Sequence, residues 1–215
     1  MGLIVLEGLD GSGKSTQLPL LEEELRLRGP VRRISFPDYG SPSSALVKMY
    51  LGGEFGGSPG DVNAYAAGAF YAVDRYASFK KDWQEDYRNG VTILAGRYTT
   101  SNLIYQMEKL PEELWDGYIA WTQDFEYDKL GLPRPDRVIF LNMPVEVGQK
   151  LLSKRYAGDE GRKDLHERDI RFLESCARCA AFAADRLGWS IVDCSRDGEP
   201  LSVEEIRRRV VLALG

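Results

Sequence analysis

The chain has 215 residues, a net charge of −5 and a sequence pI of about 5.1. This acidic balance gives no basic excess for binding nucleic acid, and no apolar run approaches the ~20 residues that span a membrane. Hydrophobic residues make up 43% of the chain and charged residues 28%, which is typical of a globular domain. No charged leader with a cleavage site precedes the first apolar run, so we expect a cytoplasmic protein.

The first predicted strand is followed at once by a glycine-rich loop. Residues 3–6 form an apolar run of strand length, and residues 8–15 fit G-x-x-x-x-G-K-[ST] without a gap. A helical pattern follows, closed by Gly29 and Pro30. In this context the backbone N–H groups of the loop and the N-terminus of the helix favour bound phosphate. Lys14 would neutralise the β- and γ-phosphates and Ser15 would bind Mg²⁺. The pattern therefore predicts an ATP site formed by Gly8, Asp10, Gly11, Ser12, Gly13, Lys14, Ser15 and Thr16.

Further stretches of strand length, most of them apolar, alternate with helical patterns along the chain. The strand candidates are residues 31–36, 91–95, 137–143 and 189–194. Helical patterns cover about 45–57, 61–88, 111–131, 144–156, 165–187 and 202–214. This alternation predicts an α/β fold of the P-loop NTPase type: a doubly wound five-stranded parallel sheet with helices on both faces. Ligands in such sheets bind at the carboxyl ends of the strands, so the loops after residues 6, 36, 95 and 143 should meet at one site.

One polar, glycine-containing stretch interrupts the helical patterns of the second half. It reads AGDEGRKD and predicts a small lid at about residues 155–168, inserted in a single domain that covers 1–215. Two of the three cysteines, Cys176 and Cys179, form a C-x-x-C inside a helical pattern, and His166 is the one histidine. Metal or redox sites of this motif need further cysteine or histidine partners, so we expect ordinary helical cysteines.

Tyr71 and Arg75 are four residues apart in the long helical pattern and should share a face of the helix. A tyrosine ring can stack on a flat base while a guanidinium group donates hydrogen bonds to its edge. From the spacing alone, a core tyrosine beside an exposed, ion-paired arginine is the more common arrangement.

As a whole, the sequence resembles the thymidylate kinase family. The likeness is carried by GLDGSGKST at 8–16, Phe36-Pro37, FYAVDR at 70–75, GRYTTSNLIYQ at 96–106, GLPRPDRVIFL at 131–141 and the arginines near 155–168. Many families share the glycine loop, whereas the combination of Y-x-x-x-R, RY-x-x-S-N-x-x-YQ and GLPRPD is much more specific. The resemblance implies a homodimeric kinase that phosphorylates dTMP with ATP and Mg²⁺ to give dTDP.

The resemblance also implies roles for individual residues. Tyr71 would stack on the base and Arg75 would meet its edge. Arg97 would hold phosphate, and Tyr105 would crowd the 2′ position of the sugar, which favours deoxyribose. The other residues implied at the acceptor site are Asp10 near the sugar hydroxyl, Phe36, Pro37, and Ser101 and Asn102 beside the base.

The lid arginines are implied to supply transition-state charge. One branch of the family has an arginine where this chain has Gly11. The resemblance therefore assigns that charge to Arg155 and Arg162, with Arg168 third. A run of charge of this kind is also typical of a solvated loop.

Two features depart from the family pattern. No arginine follows Phe36-Pro37, where the sequence is Asp38-Tyr39-Gly40, and the strand-end motif Asp-Arg-Tyr is replaced by Gly96-Arg97-Tyr98. The missing aspartate is the kind of residue that helps to hold Mg²⁺ and its waters. We therefore expect ATP and dTMP to bind and the transfer step to be slow. Two alternatives remain: another P-loop nucleotide or nucleoside kinase, and a nucleotide-binding protein with weak catalysis.

Overall fold

A five-stranded parallel sheet organises the chain, as the alternating pattern predicts. The computed structural model describes residues 2–155 and 170–215. The strand order is β2-β3-β1-β4-β5, and each neighbouring pair is parallel. The strands are β1 Leu3–Gly8, β2 Val31–Ser35, β3 Thr92–Gly96, β4 Arg137–Asn142 and β5 Ser190–Asp193. Because β1 lies in the centre, the glycine loop that follows it leaves the sheet between the loops of β3 and β4.

Helices cover both faces of the sheet. They are α1 Lys14–Arg26, α2 Ala45–Leu51, α3 Ala64–Ser78, α4 Gln84–Arg88, α5 Asn102–Tyr105, α6 Trp115–Gln123, α7 Val145–Arg155, α8 Ile170–Leu187 and α9 Val203–Leu212. Side chains of β1 alternate between two buried layers: Leu3 and Val5 contact the layer built from α6 and α8, and Ile4 and Leu6 contact the layer built from α1 and α9. A strand that is buried on both faces in this way has the continuous apolar pattern from which it was predicted.

Two of the predicted helices are less regular than their patterns suggest. The segment predicted at 61–88 begins at Ala64, after Asn63 caps it by accepting a hydrogen bond from Ala66 N at 2.9 Å, and a π-helical turn at Phe79–Trp83 separates α3 from α4. The segment predicted at 111–131 likewise passes from α6 into a π-helical stretch, Asp124–Lys129. A period of 3.6 residues cannot reveal an extra residue in one turn, so the sequence pattern merges these pieces.

A short antiparallel ribbon near the end of the chain was not predicted. Its strands are β6 Ser195–Arg196 and β7 Glu199–Pro200, joined by Asp197 and Gly198 at φ values of 52° and 76°. Asp-Gly at the centre of a two-residue turn is a strong hairpin signal, which the sequence analysis overlooked because the flanking strands are only two residues long.

The lid predicted at 155–168 falls almost wholly outside the described residues. Arg155 is the last residue of α7, and its side chain is not described. Arg162 and Arg168 lie outside the described residues, as does His166. In the part of the chain that the structure does describe, no helix is both long enough and apolar enough to cross a membrane.

Candidate active site

A cavity of about 310 Å³ opens at the carboxyl ends of β1, β2 and β3. Three of the four loops that were predicted to converge contribute to its wall; the loop after β4 does not. The predicted site residues that line the cavity are Asp10, Lys14, Ser15, Phe36, Pro37, Tyr71, Arg75, Arg97, Ser101, Asn102 and Tyr105. The fold therefore brings the glycine loop and the predicted acceptor residues to one place.

The glycine loop curls around the side chain of its own lysine. Lys14 Nζ donates hydrogen bonds to the carbonyl oxygens of Gly8 and Leu9 at 2.6 and 2.7 Å. Gly11 and Gly13 have φ values of 81° and 91°, a left-handed conformation that side chains disfavour. The loop thus ends at the first turn of α1 with an ammonium group held beside its backbone, and the N-terminus of a helix favours anions such as phosphate.

Gly11 has a second reason to lack a side chain. A Cβ built on it would lie 2.7 Å from the carbonyl carbon of Gly148 in α7. The loop after β4 was predicted to line the site; instead it leads into α7, whose backbone packs directly against the glycine loop. An arginine at position 11, as in the other branch of the family, has no room in this arrangement.

Asp10, Arg97 and Tyr105 form a polar cluster on one wall of the cavity. Arg97 Nη2 donates to Asp10 Oδ1 at 2.5 Å, Tyr105 Oη donates to Asp10 Oδ2 at 3.2 Å, and the Arg97 guanidinium lies 4.9 Å from the centre of the Tyr105 ring. Burial by itself would lower the pKa of Arg97, but Tyr105, Asp10 and Glu7 together raise it well above its ordinary value. Burial raises the pKa of Tyr105, so its phenol stays neutral and can donate its proton.

Arg97 reaches this cluster through an unusual backbone conformation. Its φ is 65°, in the left-handed region that residues other than glycine seldom occupy. Such conformations concentrate at functional sites, where the surroundings hold them. The residue directly follows β3, so the bend turns its side chain back towards the glycine loop.

Glu7 is a buried carboxylate that the sequence analysis did not assign to the site. Its oxygens accept hydrogen bonds from the hydroxyls of Thr100 and Ser101 at 2.8 and 2.7 Å, and from the backbone N–H groups of Gly8 and Tyr98 at 3.3 Å. Four donors therefore surround this carboxylate. Ser101 lines the cavity as predicted, but its hydroxyl proton points to Glu7.

Arg75 is buried and bound to a second unpredicted carboxylate. Its side chain is 1% exposed, and it donates to Glu126 from Nε and Nη2, each at 2.7 Å. The alternative of a core tyrosine beside an exposed arginine is therefore wrong, because Arg75 is buried and both residues line the cavity. Burial by itself would lower the pKa of Arg75, but the charge of Glu126 and the hydrogen bonds that Arg75 donates to it outweigh burial and raise that pKa. No sequence motif links positions that are 51 residues apart, so Glu126 could not be found from the pattern.

Several cavity residues were missed because their types carry no motif of their own. They are Leu18, Ser35, Tyr39, Leu51, Tyr98 and Gln106. Gln106 is 1% exposed, and its Oε1 makes no hydrogen bond within the described part of the chain. Tyr39 occupies the loop from which the family arginine is missing. That loop is held by Asp74 of α3, which accepts hydrogen bonds from Asp38 N at 2.8 Å and Ser43 Oγ at 2.6 Å.

The end of β3 is apolar where the family pattern has a carboxylate. Gly96 lines the cavity, and a Cβ built on it would lie 2.6 Å from Leu18 Cδ1. Over residues 2–155 and 170–215, no cluster of three or more His, Cys, Asp or Glu side chains is arranged to hold a metal ion. Ser15, at the start of α1, offers a hydroxyl oxygen to the cavity, a hard ligand of the kind that Mg²⁺ accepts.

Comparisons with known proteins show which family and fold the chain is similar to. The family model for thymidylate kinase matches residues 6–206. A thymidylate kinase from Mycobacterium tuberculosis is 33% identical over 201 residues, which cover 91% of this chain and 92% of that protein. The human thymidylate kinase is 29% identical over 210 residues, covering 95% and 87% of the two chains. The solved structure of the Candida albicans thymidylate kinase superposes with a TM-score of 0.70 at 22% identity, covers 98% of this chain and 89% of that one, and supports the fold.

Proposed function

Because the chain belongs to the thymidylate kinase family, we propose that it transfers the γ-phosphate of ATP to dTMP, giving dTDP and ADP. The observation that carries the proposal is the shared cavity, which joins the lysine and serine of a glycine loop to an aromatic ring, a buried arginine and an amide. A triphosphate at the loop and a nucleoside monophosphate in the cavity would place donor and acceptor phosphates beside each other.

The acceptor end of the cavity suits a pyrimidine base. Tyr71 offers a ring for stacking, and Arg75 and Asn102 offer a hydrogen-bond donor and acceptor for the base edge. Tyr105 is 5% exposed. The guanidinium of Arg97 packs over its ring, and its hydroxyl donates a hydrogen bond to Asp10, so the ring is held in place. A rigid ring at that place would leave little room for a 2′-hydroxyl, which favours deoxyribose.

The phosphate end supplies charge and position. Lys14 and Arg97 both line the cavity, and their positive charges would stabilise the oxygens of the phosphoryl group during its transfer. The attacking phosphate of dTMP is already an anion, so the transfer needs no general base. The hydroxyl of Ser15 would hold Mg²⁺, whose positive charge would help to neutralise the phosphates of ATP. Arg155 and Arg162 of the proposed lid would add charge and help to exclude water.

The experiment that tests the proposal is a panel of acceptors with ATP. We expect kcat/KM for dTMP to exceed that for dCMP, dGMP and thymidine by at least about a hundredfold, because a site built to hydrogen-bond one base edge strongly rejects others. Comparable rates for thymidine would indicate a nucleoside kinase, and comparable rates for dCMP or dGMP a kinase for another nucleotide.

The apolar contact between Gly96 and Leu18 favours a second candidate: a nucleotide-binding protein with weak catalysis. The two candidates differ in turnover rather than in binding. Calorimetry with ATP and dTMP, beside ATP turnover measured with and without dTMP, separates them. Tight binding of both ligands with no turnover above background would favour the second candidate. The homodimer, the single-domain organisation with a lid at 155–168 and the cytoplasmic location stay predictions.

A further inference from the structure

Glu126 holds two of the side chains that line the base end of the cavity. Its carboxylate accepts two parallel hydrogen bonds from Arg75, to Oε2 from Nε and to Oε1 from Nη2, each 2.7 Å long. Oε1 also accepts a hydrogen bond from Asn102 Nδ2 at 2.9 Å. Glu126 is fully buried, and Arg75 and Asn102 are each 1% exposed, so water does not compete for these contacts. One buried carboxylate therefore joins α3, α5 and the π-helical stretch after α6.

The paired hydrogen bonds fix the plane of the Arg75 guanidinium. Two parallel N–H···O bonds to one carboxylate define both the distance and the orientation of the group. Nη1 is directed away from Glu126 and donates to the carbonyl oxygen of Tyr98 at 3.3 Å. What Arg75 offers to a ligand is therefore a donor in one fixed direction, since a guanidinium has no acceptor.

The same carboxylate decides which end of the Asn102 amide faces the ligand. Nδ2 donates to Glu126 Oε1 and to the carbonyl oxygen of Gly68 at 3.2 Å, which uses both of its protons. A reversed amide would set Oδ1 against those two oxygens, so that three acceptors would meet with no proton between them. The orientation is thus fixed by chemistry, and the atom that Asn102 can offer to a ligand is Oδ1, an acceptor.

We propose that Glu126 is a positioning residue that sets the base selectivity of the site, an inference that rests on the proposed function. By holding a donor on Arg75 and an acceptor on Asn102, it selects a base edge with a carbonyl oxygen beside a ring N–H, as in thymine. The edge of cytosine has an amino group beside a ring nitrogen that carries no proton. Donor would then meet donor and acceptor would meet acceptor in a buried site, where unpaired polar groups are costly.

The test is Glu126→Gln, which keeps the volume of the side chain but removes its charge and replaces one acceptor by a donor. The new amide nitrogen is a donor that faces the N–H groups of Arg75 or Asn102. Because two donors repel, one of these side chains should lose its orientation. We expect the ratio of kcat/KM for dTMP to that for dCMP to fall at least about tenfold, mainly through KM for dTMP. The Kd for ATP should not change, because the hydrogen bonds that Glu126 makes within the described part of the chain go to Arg75 and Asn102 and not to the glycine loop.

Asp124→Asn is the matched control. Asp124 belongs to the same π-helical stretch and undergoes the same change of group, but its carboxylate is 53% exposed and pairs with Lys129. It should leave the dTMP-to-dCMP ratio unchanged. A merely structural role of Glu126 would lower both kcat/KM values together and keep their ratio, which overturns the inference. If the wild-type protein itself shows no preference for dTMP over dCMP, the proposed function fails instead.

A measurement on the wild-type protein keeps the inference open to refutation if Glu126→Gln does not fold. The side-chain amide of Asn102 can be followed by ¹⁵N NMR and assigned with Asn102→Ser. Since both Nδ2 protons are bound to buried acceptors, they should stay protected from exchange with water before and after dTMP is added. Rapid exchange of both protons in the dTMP complex would show that the amide has turned, and would overturn the inference.

Discussion

Gly96 and Leu18 touch at the edge of the sheet where the family pattern has an aspartate. The Cδ1 atom of Leu18 lies 2.6 Å from the place that a Cβ on Gly96 would occupy, and Ser35 Oγ lies 3.5 Å from it. Leu18 follows Lys14 by one turn of α1, so an apolar side chain stands directly behind the lysine that we propose binds phosphate. Leu18 therefore occupies the space that the side chain of an aspartate at position 96 would need.

This contact determines how the missing carboxylate should be restored. Gly96→Asp alone must push the end of Leu18 aside, whereas Leu18→Ala/Gly96→Asp has room for the new side chain. We expect the double variant to raise kcat with dTMP by at least about tenfold and to lower the Mg²⁺ concentration that is needed, because one organised electrostatic contact is typically worth 10²–10³ in rate. Binding of Mg²⁺·ATP, measured by calorimetry, should tighten as well.

Leu18→Ala alone is the control. It should neither raise kcat with dTMP nor lower the Mg²⁺ concentration that is needed. A folded double variant with the kcat and Mg²⁺ requirement of the wild-type protein would show that water or another group already fills the role of the aspartate.

Tyr105 should contribute to the rejection of ribonucleotides. Removing its ring in Tyr105→Ala opens space beside the sugar, so the ratio of kcat/KM for dTMP to that for its ribose counterpart should fall. Tyr105→Phe keeps the ring and loses only the hydrogen bond to Asp10, so most of the preference should remain. Equal ratios in the wild-type protein and Tyr105→Ala would assign the ring to the core.

Lys14→Ala should abolish phosphoryl transfer while the fold is kept. Lys14 lines the cavity, and its ammonium group donates hydrogen bonds to the carbonyl oxygens of Gly8 and Leu9 in the glycine loop, so its removal should open no core cavity. Lys80→Ala, an exposed lysine of the Phe79–Trp83 turn, serves as the control. Activity in Lys14→Ala within about tenfold of wild type, or ~1.4 kcal/mol of barrier, would contradict the assignment of the loop.

The central strands β1, β3 and β4 could be predicted because they are buried on both sides of the sheet. Such strands show as short apolar runs, and the alternation with helices limits their order and handedness. The glycine loop could be predicted for a related reason: its chemistry needs residues that are adjacent in sequence. Local sequence patterns were therefore sufficient to predict the strands, the helices and the glycine loop.

The acceptor end could be predicted only in part, because its contacts join distant segments. The resemblance to the family assigned Arg75 to the base edge, but its partner Glu126 comes from a stretch that reads as an ordinary helix. The packing of Gly148 against Gly11 could not be predicted either, because two glycines form no sequence pattern that indicates a close approach of their backbones. Such pairings depend on tertiary packing, which a single sequence does not reveal.

The three cysteines should be unreactive in the folded protein. Cys176, Cys179 and Cys194 are each fully buried. Burial raises the pKa of Cys179 and Cys194 to about 12 and that of Cys176 well above its ordinary value. Because the thiolate is the reactive form, a disulfide reagent at pH 8 should label none of them in native protein and all three in guanidinium chloride. Rapid labelling of Cys176 or Cys179 in native protein would reopen a redox role for the C-x-x-C.

Gly11 and Gly13 provide a matched pair for testing the contact between the glycine loop and α7. Both have left-handed φ angles, 81° and 91°, so an alanine at either position incurs a similar backbone cost of about 1 kcal/mol. They differ in space: a Cβ on Gly13 meets no atom within 4 Å among the described residues, whereas a Cβ on Gly11 collides with the backbone of Gly148. Overpacking against backbone typically costs a further ~1–3 kcal/mol. Gly11→Ala should therefore lower the free energy of unfolding, measured in urea, by at least about 1 kcal/mol more than Gly13→Ala does. Equal losses in the two variants would mean that α7 can move away from the loop at little cost, and that an arginine at position 11 could be accommodated after all.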